Sequence, residues 1–297
     1  MIKTFLPSEV STGAFHQLML GTISPRPIAF ASTIDENGKV NLSPFSFFNV
    51  FSANPPVLIF SPARRVRDNT TKHTLENVLK TKEVVINIVD YSIVEQMSLS
   101  STEYPAGVNE FLKSGLTELK SDIVKPPRVK ESPASFECKV IEVKELGDQG
   151  GAGNLIICEV LALHVNGRVF DEHGRVDPFK LDAVARMGGN WYCRAQGSAL
   201  FEVTKPLSTM GIGIDQIPSA IKNSKILTGN QLGKLGNVEE LPTQNEIDKY
   251  GKEPEVSAIL LALDGDPDSR HEELHKLASF YLDNHDTEGA WKVLLQD

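Results

Sequence analysis

The amino-acid sequence predicts a mainly β domain over residues 1–200, joined to an acidic helical extension over residues 201–297. Three observations lead there: short apolar runs separated by turn residues in the first two thirds, helical hydrophobic spacing in the last third, and a shift of charge at the same point. The 297-residue chain has a net charge of −9, and residues 201–297, with 9 basic and 17 acidic side chains, carry −8 of it. With 40% hydrophobic and 23% charged residues, the composition is that of a folded globular protein rather than a disordered one.

Along the chain, residues 28–34, 57–60 and 83–89 read as strands, rich in β-branched and aromatic side chains and bounded by turn residues. Asp35-Glu36-Asn37-Gly38 reads as a hairpin loop, because Asn and Gly accept positive φ at little cost. The glycine-rich turn 147–153 separates two further predicted strands, 134–146 and 154–165. This pair alternates poorly and is rich in Leu, Ile and Val, as expected of strands covered on both faces. Residues 222–238 are polar and contain glycine, the pattern of an exposed connection. Beyond them, Val256, Ile259, Leu260 and Leu263 form one stripe at helical spacing. Leu274, Leu277, Ala278 and Tyr281 form a second, and Trp291, Leu294 and Leu295 a third. Helices this short need something to cover those stripes, either the β domain or a second subunit.

Several function classes are disfavoured at once. An acidic pI of 5.4 argues against a nucleic-acid surface. The longest uncharged run, 40–63, has 24 residues but holds four Pro, four Ser and three Asn, a mix that a bilayer helix would not tolerate. The N-terminal residues lack the apolar stretch of a signal peptide. Cys138, Cys158 and Cys193 are odd in number and lack C-x-x-C spacing, which suits packing residues in a reducing compartment. The expectation is a soluble cytoplasmic protein without nucleic-acid or membrane partners.

Two neighbouring stretches could carry chemistry. Ser24-Pro25-Arg26-Pro27 fixes an extended lead-in. Asn41-Leu42-Ser43-Pro44-Phe45-Ser46-Phe47-Phe48-Asn49 then concentrates hydroxyls, amides and aromatic rings, suited to the edge and face of a flat heteroaromatic ring. The competing reading is an edge strand of a barrel with its phenylalanines in the core. After it come Arg64, Arg65, Arg67 and Lys72, just before a helix carrying Leu75, Val78 and Leu79 that Asn69, Thr70 or Thr71 could cap. Cations at a helix N-terminus suit a phosphate, although a solvated loop is the simpler reading of a basic run. A ring site followed by a phosphate site matches the needs of a mononucleotide.

With these motifs the sequence resembles the flavin reductase-like family, whose fold is an FMN-binding split β-barrel, usually homodimeric. The resemblance rests on Ser24-Pro25-Arg26-Pro27-Ile28-Ala29, Ser32-Thr33, the 41–49 block and Asn54-Pro55-Pro56. It continues through Lys72-His73-Thr74-Leu75-Glu76-Asn77, Val85-Ile86-Asn87-Ile88, Tyr104-Pro105-Ala106-Gly107-Val108-Asn109-Glu110-Phe111, Glu137-Cys138 and Arg186-Met187-Gly188-Gly189-Asn190-Trp191-Tyr192. It spans about residues 10–198, and His73 stands where the family often has an acidic residue. The resemblance implies a bound FMN whose ring lies against Ser32, Thr33, Ser43, Pro44, Phe45, Ser46, Phe47 and Asn49. It places the phosphate near Lys72 and Thr74 at the helix start, with Arg26 or Arg186 as further cations, and counts Asn77 among the cofactor-binding residues. His164 matches a family histidine that could contact a nicotinamide substrate; the competing reading is a core histidine satisfied by a backbone partner.

Other motifs carry less. His271-Glu272-Glu273-Leu274-His275 matches H-E-x-x-H, but Arg270, Glu273 and Lys276 beside it suggest a solvated helix face, and no metal site is expected. Gly229-Asn230-Gln231-Leu232-Gly233-Lys234-Leu235 lacks the spacing and terminal hydroxyl of a phosphate loop, and Gly211-Ile212-Gly213 stops short of a dinucleotide fingerprint. The expected function is therefore an oxidoreductase passing reducing equivalents from transiently bound NAD(P)H through FMN to free flavin, a partner oxygenase or another small-molecule acceptor. The alternatives are a flavoredoxin-like electron carrier without substrate chemistry of its own and a flavoprotein acting directly on an organic substrate.

Overall fold

Seven antiparallel strands organise the first two thirds of the chain in the computed structural model, which describes residues 1–296. In chain order come β1 (Ala29–Ile34), β2 (Val40–Phe45), β3 (Phe48–Ala53), β4 (Pro56–Phe60) and β5 (Glu83–Asn87). The short ribbon of β6 (Glu118–Leu119) and β7 (Arg128–Val129) precedes the long hairpin of β8 (Ala134–Glu145) and β9 (Asn154–Val165). A second ribbon, β10 (Val184–Arg186) with β11 (Tyr192–Arg194), follows. The large sheet runs β2-β1-β5-β8-β9-β4-β3.

That order dictates a barrel. The edge strands β2 and β3 are consecutive in sequence, with only Ser46 and Phe47 between them. In a flat sheet six strand spacings would part those edges by roughly 29 Å, far beyond the reach of two residues. The sheet therefore curls until its edges meet at that corner, and because β2 and β3 do not pair, the barrel stays split there. Register shifts in β8 at Glu137/Cys138 and Val140/Glu142 add the bending that closure needs.

One face of the sheet buries Ala31, Phe45, Phe60, Ile86, Cys138 and Ile156. The other buries Phe30, Leu42 and Val89 against short helices. The helices of this unit are α1 (Thr12–Thr22), α2 (His73–Thr81), α3 (Val94–Leu99), α4 (Glu110–Ser114) and α5 (Pro178–Leu181). Met97 of α3 and Phe111 of α4 complete the second cluster. The expectation that 134–146 and 154–165 are covered on both faces holds only near the sheet's middle. Each strand of this hairpin has 12 residues while its outer neighbours β5 and β4 have 5, so the turn end overhangs and leaves Ile141 exposed.

The chain divides into two compact units, Met1–Phe201 and a second from Glu202 onward. The second unit contains α6 (Ser219–Lys222), α7 (Gly229–Gly236), α8 (Gln244–Tyr250), α9 (Pro254–Ala262), α10 (Pro267–Asp283) and α11 (Thr287–Leu294). The expected exposed connection at 222–238 instead holds α7, started by a capping box in which Thr228 and Gln231 satisfy each other's backbone N–H groups. Leu227 and Leu235 are buried there, so the segment belongs to the core. The three apolar stripes cover one another rather than needing another domain: Val256, Leu274, Ala278, Trp291 and Leu294 share a single cluster. Trp291 is 1% exposed and donates its indole N–H to Leu235 O at 3.1 Å. A fragment starting at residue 202 should accordingly unfold in one cooperative thermal transition with a blue-shifted Trp291 emission. Solvent-like emission without a transition would show that these helices depend on the rest of the chain. Among the described residues no helix is long and apolar enough to cross a membrane.

Candidate functional site

Helix α2 is tied to the β1–β2 pair by two side-chain bonds. Asn77 Nδ2 donates to Thr33 Oγ1 at 3.0 Å, and Asn41 Nδ2 donates to Thr74 Oγ1 at 3.0 Å. Thr33 and Asn41 face each other across the β1–β2 ladder, while Thr74 and Asn77 are three residues apart on one helix face. This lock sets the N-terminus of α2 beside Ser43. The N-cap is Lys72, whose side chain makes no capping bond; its carbonyl accepts the Leu75 and Glu76 N–H groups, which leaves those of His73 and Thr74 to meet a ligand. Capping by Asn69, Thr70 or Thr71 does not occur. Asn69 adopts a left-handed turn at φ 58°, Thr70 Oγ1 donates to Asp68, and Thr71 Oγ1 donates to Glu76.

The glycine-rich hairpin end shapes the basic loop before α2. Arg64 N–H donates to Ala152 O, Gly151 N–H donates to Arg64 O, and Asn69 Nδ2 donates to Asp148 O. A Cβ on Gly150 would stand 3.0 Å from Val66 O and 3.1 Å from Arg65 O, so only glycine allows this approach without displacing backbone. Arg65 is fixed further by bonds from its Nη1 to Thr70 Oγ1 at 2.8 Å and to Thr71 O.

A narrow cleft results, lined by Ser43, Lys72, His73, Thr74, Glu103 and Glu110 among others, with 20 Å³ of free space. Two acids stand in it that the sequence reading did not single out. Glu103 bonds Arg65 and Lys72, and the Arg65 bond in particular holds its carboxyl down at about 2. Glu110 is buried and accepts the Leu42 N–H at 3.0 Å; burial pushes its carboxyl above the usual range despite that bond. The nearest sequence signal for both was the 104–111 motif.

The remaining predicted residues separate into other groups. Phe45 lies in the barrel core, tilted against Phe60 with ring centroids 5.5 Å apart, whereas Phe47 is exposed near His16 and Asn49 is exposed with its side chain on Val50 N–H. Pro44 and Ser46 are half-buried. Ser32 Oγ is buried in β1 and has no hydrogen-bond partner among the described residues. Arg26 is buried, and its guanidinium donates to Leu20 O, Ile23 O, Met187 O and Ser46 Oγ. It clasps the lead-in segment to Arg186, whose backbone it pairs with, and does not line the Lys72 cleft. Arg186 stacks on Tyr192 at 4.5 Å.

His164 lines a separate 290 Å³ cavity with Arg128, Ser135 and Asn166. Its partner is a carboxylate rather than a backbone group: Nε2 is 2.8 Å from Glu137 Oε1. Glu137 is fully buried and also accepts the N–H groups of Asp122, Ile123 and Val124. Burial alone would raise its pKa, but these donors together outweigh it and the net shift is downward. Asp122, Glu137 and His164 bring ligand atoms close enough for a metal, yet every Glu137 oxygen is already engaged and Arg128 stands 3.6 Å from Asp122 and 3.9 Å from Glu137. The trio is better described as a hydrogen-bonded brace.

The H-E-x-x-H motif lies on α10, but not as a wholly solvated face. His275 is buried with Nδ1 2.7 Å from Ser224 Oγ, while Glu272 pairs with Lys276 at 2.7 Å. Cys138 and Cys158 are buried in the barrel core, and burial pushes the Cys138 thiol up to about 12, which leaves it inert as a nucleophile.

The donor set at α2 suits a phosphate: fixed Arg65, Lys72 and an uncapped helix N-terminus. The orphaned Ser32 hydroxyl in the adjoining strands suits a polar ring edge. Residues 20–180 match the flavin reductase like domain family. An uncharacterized protein of Aquifex aeolicus is 41% identical over 199 residues, covering 67% of this chain and 99% of that relative. The structure of nitrilotriacetate monooxygenase component B from Bacillus cereus superposes with a TM-score of 0.63 at 28% identity, over 69% of this chain and 98% of that one. A Shewanella frigidimarina structure assigned as a flavin reductase with a split barrel domain gives 0.57 at 27% identity, over 67% and 95%. With more than half of its length matched and its strand order closing into the same barrel, this chain belongs to the flavin reductase like domain family.

Proposed function

We propose that the protein is an FMN-dependent oxidoreductase that takes reducing equivalents from NAD(P)H and delivers them to free flavin, a partner oxygenase or another small-molecule acceptor. The observation that carries this reading is the uncapped α2 N-terminus, with Arg65 and Lys72, set beside Ser43 on the strand proposed to face the ring. FMN, when bound, supplies a ring that accepts hydride and passes electrons on. The chain's own contribution is to hold the phosphate at Lys72 and Thr74 and to position the ring along Ser32, Ser43 and Pro44. Glu137 would orient His164 for contact with the reductant or acceptor. An oxygenase partner is favoured by the 28% identity to a protein named as component B of a monooxygenase.

Edge strand β3 presents Val50 and Phe51 at 64% and 63% exposure, and a homodimer would cover them with one self-complementary patch. Light scattering should give twice the chain mass, and a monomer at micromolar concentration would contradict it. The buried thiols suit a reducing cytoplasm. The reaction itself is tested by steady-state oxidation of NADH and NADPH with and without added flavin. Turnover that depends on an acceptor supports the proposal. Bound FMN that neither nucleotide reduces would favour an electron carrier loaded by another protein.

A further inference from the structure

The ions around Glu103 form an anion site already filled by the chain itself. Glu103 Oε1 stands 2.7 Å from Arg65 Nε and 3.2 Å from Lys72 Nζ, and Oε2 stands 3.3 Å from Arg67 Nη2. Its carboxyl, held down at about 2 first by the Arg65 bond and then by Lys72, is an anion across the physiological range. The side chain is 42% exposed and sits between α3 and α4 rather than in the sheet, so it can turn to solvent without burying its charge.

Arg65, Lys72 and Glu103 line two cavities at once. One is the narrow cleft with Ser43 and Thr74, whose 20 Å³ is room for about one water. The other, of 330 Å³, is lined also by His16, Arg64 and Arg67. The Glu103 side chain is part of the wall common to both, beside the cations it pairs with. A phosphate dianion could not share those cations with a carboxylate at hydrogen-bond distance without strong like-charge repulsion. It binds guanidinium more strongly than a carboxylate does and has more oxygens to offer the helix N-terminus.

We propose that Glu103 is an exchangeable counter-ion: the FMN phosphate takes its place on Arg65 and Lys72, and flavin loading thereby frees the 100–109 segment. The inference rests on the phosphate position given under the proposed function. Glu103 would then compete with the phosphate alone, so a flavin without phosphate would bind without displacing it.

The test is fluorescence titration of the full chain with FMN and with riboflavin, for wild type, Glu103→Gln and Glu103→Ala, alongside hydrogen exchange of 100–109. Both variants should bind FMN about tenfold more tightly and riboflavin within about twofold of wild type. FMN should speed exchange of 100–109 in wild type, while in the variants exchange is already fast without it. Unchanged or weaker FMN binding in the variants overturns the exchange, as does an equal gain for riboflavin. Wild-type protein that binds neither flavin overturns the phosphate position itself, and the exchange with it.

Discussion

Replacing Glu137 by Ala should destabilise the first unit by about 3–5 kcal/mol, because it strips a fully buried acceptor from several donors at once. The N–H groups of Asp122, Ile123 and Val124 and the His164 ring would all lose their partner. Calorimetry of the full chain should show a lower Tm for one transition, and an unchanged Tm would mean the brace carries no stability. The same carboxylate should make the unit acid-sensitive. Its folded pKa lies below the ordinary 4.5, so its stabilisation is present above the unfolded value and is lost as pH falls from there through the folded value. Glu137→Gln, which has no such titration, should show a flatter loss of stability below about pH 4.5 than wild type.

Lys72→Met and Thr74→Ala should each weaken FMN binding by about 1–3 kcal/mol, the worth of a hydrogen bond or cation lost by a charged phosphate. Riboflavin should be far less sensitive to either change. The two substitutions differ in their side effects. Lys72 is partly exposed and its side chain pairs, among the described residues, only with Glu103, so its loss should leave the fold intact. Thr74 is buried and accepts the Asn41 amide, so Thr74→Ser, which keeps the hydroxyl, is the control that separates ligand contact from the lock on α2. Equal losses for FMN and riboflavin in isothermal titration would place the phosphate elsewhere.

Local pattern was enough where the physics is local. The strands expected at 134–146 and 154–165 appear at Ala134–Glu145 and Asn154–Val165, because turn residues and apolar runs report directly on a hairpin. The stripes of the last third likewise became helices. What the pattern hid was mostly long-range. Glu103 meets its cations 31 to 38 residues away, and Glu137 meets His164 27 residues away, pairings that no spacing rule encodes. Helix α7 was hidden for another reason: its glycines read as loop, while the capping box at Thr228 and Gln231 was the signal to weigh. Arg26 and Arg186 read alike as available cations, yet folding directs Arg26 at backbone carbonyls.

Whether α2 and the facing strands hold FMN shows first in the colour of the purified protein. The purified protein should be yellow, or colourless and able to bind one equivalent of FMN that stays with it through gel filtration, and acid should release a flavin identified as FMN. Protein that is colourless and fails to bind added FMN would contradict it.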